Sequence, residues 1–177
     1  MTTIRGERVM LRPFRAEEFD RVLARYASEG AERSEVRRRR LALSGTRTAW
    51  EILFAIEVEG RLAGEVQARC PDDAAPPGVF ELGIELYDVN DRGRGLGSEV
   101  IRMLTTHLFE RQDAIRVQAT TDVENVSMRR SLEKCGFTYE GVLRGFMPSA
   151  DGPRDYAMYG MTIEDRVTTK DPWTSTS

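Results

Sequence analysis

Apolar residues fall at two spacings along this chain. Phe19, Val22, Leu23 and Tyr26 recur three or four positions apart, as do Leu96, Val100, Ile101, Leu104 and Leu108. Each set predicts a helix with one apolar side, the first over residues 16–27 and the second ending near residue 111. Further helices are expected over residues 31–43 and 125–134, the latter closed by Gly136. The run ILFAIEV at 52–58 is instead rich in β-favouring residues. Glu59-Gly60-Arg61 suits a tight turn, and residues 62–68 supply a partner strand, so an antiparallel hairpin is expected. Other strands are read at 9–11, 79–87, 115–120, 137–146 and 155–162, and PDDAAPPG at 71–78 is a loop by composition.

In order, these are a strand, two helices, three antiparallel strands, then helix, strand, helix and two strands. That order predicts one α/β domain over residues 1–165, a mixed sheet with helices on both faces. Neither a repeat nor a second domain is visible. From Arg166 the composition turns polar, and residues 166–177 read as a disordered tail.

Composition narrows the function classes. Of 177 residues, 40% are hydrophobic, a globular balance. A net charge of −3 and a pI near 5.4 lack the basic field that nucleic-acid binding asks for, and they suit a cationic partner such as an amine. No apolar run has the length of a membrane span, and the charged start MTTIRGERVMLRP is unlike a signal peptide. A cytoplasmic protein without membrane or nucleic-acid partners is therefore expected. Cys70 and Cys135 lack metal-ligand spacing and His107 is the single histidine, so neither a metal site nor a histidine-dependent triad is expected.

One stretch calls for chemistry. In NDRGRGLGSEVIRMLTTHLF, residues 90–109, three glycines alternate at Gly93, Gly95 and Gly97, directly before a helix. Glycines there admit positive φ and a close ligand, and the first turn of a helix offers unpaired N–H groups and the positive end of its dipole. A phosphate fits such a nest, with Arg92 and Arg94 adding charge-assisted bonds. The dinucleotide fingerprint is absent, since Ser98 stands where its third glycine would be, and the Gly-Lys-Ser/Thr of a P-loop is absent too.

Arg92-Gly93-Arg94-Gly95-Leu96-Gly97 resembles the pyrophosphate loop of the GCN5-related N-acetyltransferases (GNAT). ENVSMRRSLEKCGFTYEG, residues 124–141, is similar to the family's second landmark, and RGERVMLRPFRAEEFD and DGPRDYAMYGM resemble the branch that acetylates ribosomal-protein N-termini. The resemblance covers residues 4–163. It implies a mixed, mostly antiparallel sheet of about seven strands whose fourth and fifth members, here 79–87 and 115–120, are splayed by a bulge in the former. It implies acetyl-CoA as cosubstrate, no metal, a primary amine as acceptor attacked directly in a ternary complex, and a possible homodimer. Backbone groups around Glu85, Leu86 and Tyr87 would pair with pantetheine, the amides from Gly93 through Leu96 and Gly97 to Ser98 would hold the pyrophosphate, and Asn125 would contact the cofactor or simply cap its helix.

Transfer to an amine needs a base. Glu81 stands eleven residues before Arg92, the offset of the catalytic glutamate in the histone-acetylating branch, and Glu85 is its backup. The acid is where the chain departs from the family. Leu132 occupies the position of the usual tyrosine and Met128 that of the serine of the N-terminal-acetylating branch. Ser131 is the remaining choice, with Tyr156 and Tyr159 as outside candidates, or water alone. Loss of the acid also leaves open a non-catalytic acyl-CoA-binding module. The row Arg37 to Arg40 reads as a solvated helix face or a contact to phosphate or an acidic acceptor. His107 and Cys135 read as packing residues, and Asp155 as a turn acceptor or a substrate contact.

Overall fold

The computed structural model describes residues 1–70 and 76–168. Its strands and α-helices follow the order β1 (Ile4–Arg5), β2 (Val9–Arg12), α1 (Phe19–Ala24), α2 (Ala31–Ala42), β3 (Glu51–Val58), β4 (Arg61–Arg69), β5 (Val79–Leu86), α3 (Leu96–Arg111), β6 (Arg116–Asp122), α4 (Val126–Lys134), β7 (Thr138–Met147), β8 (Arg154–Thr162) and α5 (Ile163–Thr168). The eight strands form one sheet, ordered β1-β2-β3-β4-β5-β6-β8-β7. The extra strand over the expected seven is β1, two residues paired with Met10 and Leu11, too short to show a period.

β3 is buried along its whole length because both faces of the sheet are covered. Ile52, Phe54, Ile56 and Val58 meet Leu96, Val100, Ile101, Leu104 and Leu108 of α3 and Leu132 of α4 in the larger core. On the other face Leu53 and Ala55 join Val22 of α1 and Leu41 of α2 in a smaller one. Strand alternation thus sorts a continuous apolar run into two cores.

The helix expected over 16–27 is shorter than its pattern. α1 is flanked by 3-10 turns at Ala16–Glu18 and Ala27–Glu29, and Gly30 at φ 90° separates it from α2. Residues 166–168 of the expected tail are helical: Arg166 lies in α5 and donates to the Thr106 carbonyl (3.2 Å) and to Glu110 (2.5 Å). Residues 169–177, and 71–75 of the expected loop, lie outside the described residues.

Every neighbouring pair of strands is antiparallel except β5 and β6, which are parallel. Their ladder runs only from Val79↔Arg116 to Glu81↔Gln118, although β5 continues to Leu86 and β6 to Asp122. Beyond Glu81 the two strands part. The expected bulge in β5 is not the cause, since its register with β4 runs unshifted from Arg69↔Glu81 to Gly64↔Leu86.

Candidate active site

The glycine turn is anchored from below by a buried carboxylate. Asp91 is 1% exposed and takes both arms of the Arg61 guanidinium, at 2.8 and 2.5 Å. That fork holds its carboxyl below the usual aspartate range, against the opposing effect of burial. Buried Glu99 anchors the other side by accepting the N–H groups of Arg8 (2.8 Å) and Val9 (3.2 Å), while the Arg8 guanidinium donates to the Arg94 carbonyl (2.8 Å). Between these anchors Gly93 and Gly95 adopt φ of 73° and 82°, the left-handed region that disfavours side chains. Gly95 is the residue on which α3 begins, and no side chain caps that end. The N–H groups of Leu96, Gly97 and Ser98 precede the first intrahelical bond, Glu99 N–H to the Gly95 carbonyl at 3.1 Å.

These groups open onto a cavity of about 430 Å³ lying between the end of β5, the turn and α4. Of the residues read from sequence it brings together Glu85, Leu86, Arg92, Gly93, Gly95, Gly97, Ser98, Asn125 and Ser131. Leu96 contributes only backbone, since its side chain is buried in the core. Arg94 is turned to Asp91 at 3.4 Å, so its charge already has a partner. Asn125 caps α4 by accepting the Met128 N–H at 3.1 Å, and it also lines the cavity.

Ser127 and Met128 line the cavity too, and three further lining residues escaped the sequence reading. Arg130 and Lys134, one helical turn apart on α4, bring two cations to the rim. Their spacing after Asn125 was the available signal. Ile84 is the third. The Tyr87 N–H is bonded to the Ala63 carbonyl of β4 (2.9 Å), so by alternation Glu85 also turns its backbone to β4. Ile84 and Leu86, rather than the expected trio, present backbone groups to the parting.

The side chains of Glu81 and Glu85 lie on the opposite face, that of Glu85 against the end of α1. Glu81 accepts from Arg69 (3.0 Å) and from Thr120 of β6 (3.4 Å), a hydroxyl that reaches across the parting. Glu85 is more heavily engaged, accepting from Tyr26 (2.5 Å) and Arg25 (3.3 Å). Burial first, then the bond to Glu85, pushes the Tyr26 hydroxyl above the ordinary tyrosine range. Tyr87, bonded to Glu65 at 2.8 Å, is raised for the same reasons. The arginine row is only partly a solvated face. Arg38 and Arg39 are the outward members, whereas Arg37 meets Glu65 (3.4 Å) and Arg40 grips Glu51 (2.5 Å).

The acid positions are equally distinct. Leu132 is fully buried and Met128 packs against the same core. Ser131 faces the cavity. Tyr159 is fully buried, donating to Glu133 (2.9 Å) and accepting from Arg129 (3.2 Å), and Tyr156 packs on Phe146. Asp155 of β8 accepts the Gly145 N–H of β7 at 2.7 Å. Burial raises the Cys135 thiol, and His107 packs edge-on against Phe54.

Residues 8–138 match the family model of the acetyltransferase (GNAT) domain. The chain belongs to that family. The fold of this GNAT domain is shared by RimJ of Mycobacterium smegmatis, solved in complex with CoA-disulfide, at a TM-score of 0.76 and 20% identity over 93% of this chain and 88% of that one. It is shared too by RimL, an α-N-protein acetyltransferase of a ribosomal protein solved in complex with coenzyme A, at 0.75 and 18% over 93% and 99%. A kanamycin resistance protein of Rhizobium radiobacter is 28% identical over 90 residues, 51% of this chain and 80% of its own. The chain spans 40% of the length of the aminoglycoside N(6′)-acetyltransferase of Klebsiella pneumoniae that it also matches. Acetyl-CoA is the family's cosubstrate, and the uncapped start of α3 beside Arg92, Arg130 and Lys134 fits its pyrophosphate.

Proposed function

We propose that this GNAT domain moves the acetyl group of acetyl-CoA to a primary amine, by direct attack in a ternary complex. The observation that carries the proposal is the parting of β5 from β6 immediately after Glu81. A chain threaded there has the anion nest on one face of the sheet and the glutamates on the other. Acetyl-CoA supplies an activated acyl carbon on a thiol leaving group. The amides of residues 93–98, with Arg92, Arg130 and Lys134, hold the pyrophosphate, and backbone groups of Ile84 and Leu86 pair with the pantetheine. Glu81, directly or through one water, takes the proton of the ammonium. The freed nitrogen bonds to the acyl carbon, the carbon–sulfur bond breaks, and the thiolate takes a proton from Ser131 or water.

A kanamycin resistance protein among the relatives and an α-N-protein acetyltransferase among the solved structures support an amine acceptor. Burial of Leu132 favours one rival, a domain that binds acyl-CoA without catalysis. Calorimetry with CoA and thiol release from acetyl-CoA with a panel of amines separate the two. Tight CoA binding without release for any amine refutes the transferase. Cytoplasmic location and a homodimer belong to the proposal; for the latter, edge strand β7 exposes Tyr139, Val142, Phe146 and Met147, and sedimentation velocity reads the state.

A further inference from the structure

On the face of the sheet that carries Glu81, a second cavity of about 530 Å³ lies between α2, the segment leading into β3, and the adjoining ends of β3 and β4. Its apolar lining is Val36, Leu43, Trp50 and Leu53. Val36, Leu43 and Trp50 are 55%, 53% and 63% exposed, so three large apolar side chains are gathered at one solvent-open place. Its charged lining is Arg39, Arg40 and Arg69 against a single carboxylate, Glu51. Glu51 is gripped by Arg40 at 2.5 Å, and Arg40 also reaches Gln67. Arg69 is half exposed and donates to Glu81 at 3.0 Å. The cavity therefore ends at a side-by-side cation and anion, and the anion is the proposed base.

We propose that this cavity selects the acceptor and that the acceptor is a free α-amino acid with a large apolar side chain; the inference rests on the acetyl-transfer reading above. An α-amino acid carries its ammonium and carboxylate on one carbon, which matches the Arg69–Glu81 pair. The carboxylate takes the Arg69 guanidinium, the ammonium faces Glu81, and the side chain covers Trp50, Leu43 and Val36. A peptide N-terminus brings the same amine without the adjacent carboxylate. A polycation such as kanamycin brings several ammonium groups to a cavity lined by Arg39, Arg40 and Arg69, where Glu51, Glu65 and Glu85 are held by Arg40, Arg37 and Arg25, and Glu81, held by Arg69, can face only one of them.

The test is steady-state thiol release with acetyl-CoA and five amines: leucine, leucinamide, a leucyl dipeptide, glycine and kanamycin. Leucine should exceed leucinamide and the dipeptide in kcat/KM by about tenfold or more, the value of one charge-assisted bond from Arg69 to the carboxylate. Kanamycin should be the poorest. Arg69→Gln should bring the leucine-to-leucinamide ratio close to one; the ratio is read because Arg69 also holds Glu81. Trp50→Ala should lower the leucine-to-glycine ratio while leaving CoA affinity, the check on folding, unchanged. Preference for leucinamide, the dipeptide or kanamycin, or ratios that neither variant moves, overturns the inference and leaves acetyl transfer standing. Absence of release with every amine, even in alkaline buffer, overturns both.

Discussion

Gly95 and Gly97 stand two residues apart, yet alanine at each should move stability in opposite directions and CoA affinity in the same one. At Gly95 the backbone is left-handed, φ 82° and ψ −2°, where an L side chain costs about 1–2 kcal/mol. Its Cβ would also come to 3.2 Å from the Arg8 guanidinium that supports the turn. Gly97 lies within the first turn of α3, its φ is not left-handed, and a Cβ there meets nothing within 4 Å. Alanine exceeds glycine by up to ~1 kcal/mol inside a helix, and about half of that is expected in a first turn. In a domain of this size ~1 kcal/mol moves Tm by ~2–4 °C. Gly95→Ala should therefore lower Tm by roughly 2–8 °C, and Gly97→Ala should raise it by ~1–2 °C. The Gly97 methyl enters the cavity beside the open N–H groups, so CoA affinity should fall by about tenfold or more, the value of one good charge-assisted bond. Thermal unfolding with and without CoA reads both quantities. At a hundredfold excess over Kd the ligand adds ~2.7 kcal/mol, and a tenfold weaker variant loses ~1.3 kcal/mol of that. A Gly97→Ala protein that melts lower than wild type, or that keeps the full CoA-induced shift, would refute the reasoning.

Asp91→Asn should destabilise by about 1.5–3 kcal/mol at neutral pH through its weakened Arg61 fork. Because the folded carboxyl titrates below its unfolded value near ~4, that stability is present above the unfolded value and lost as pH falls through the folded one. The gap between wild type and variant should thus close in acid, and a gap constant from neutral to acidic pH argues against the bridge. Glu81→Gln should spare CoA binding and slow transfer by ~10²–10⁴, most at low pH and least in alkali, where the amine is already neutral; full activity at every pH clears Glu81 of the role. Leu132→Tyr should overpack the core by ~1–3 kcal/mol without speeding transfer, since the side chain points away from solvent; a faster enzyme would mean that this position reaches the thioester.

Local order decided what was legible in advance. The helix of residues 96–111 shows its apolar side at helical spacing, and the β-rich runs declare strands because each pattern lies within a few neighbouring residues. The glycine turn was readable for the same reason: left-handed backbone and an open helix start are properties of one short segment. β1 was missed because two residues have no period. α1 came out shorter than its pattern because apolar spacing continues through 3-10 turns that end the α-helical hydrogen bonding.

The sequence by itself therefore determined most of the elements, their order, the family and the glycine turn. Tertiary structure alone decided which groups face one another. The Asp91–Arg61 fork joins residues 30 positions apart, and the Glu99 anchor joins residues 91 apart, distances across which no periodicity carries information. Whether a backbone amide turns toward the parting or toward β4 depends on a single residue of register, and that turned Ile84 and Leu86 to the parting. The same logic separated four consecutive arginines, because a helix turns each by about 100° from the last. Arg37 and Arg40 faced carboxylates on the sheet, Arg38 and Arg39 faced water, and only packing of α2 on β3 and β4 could say which was which.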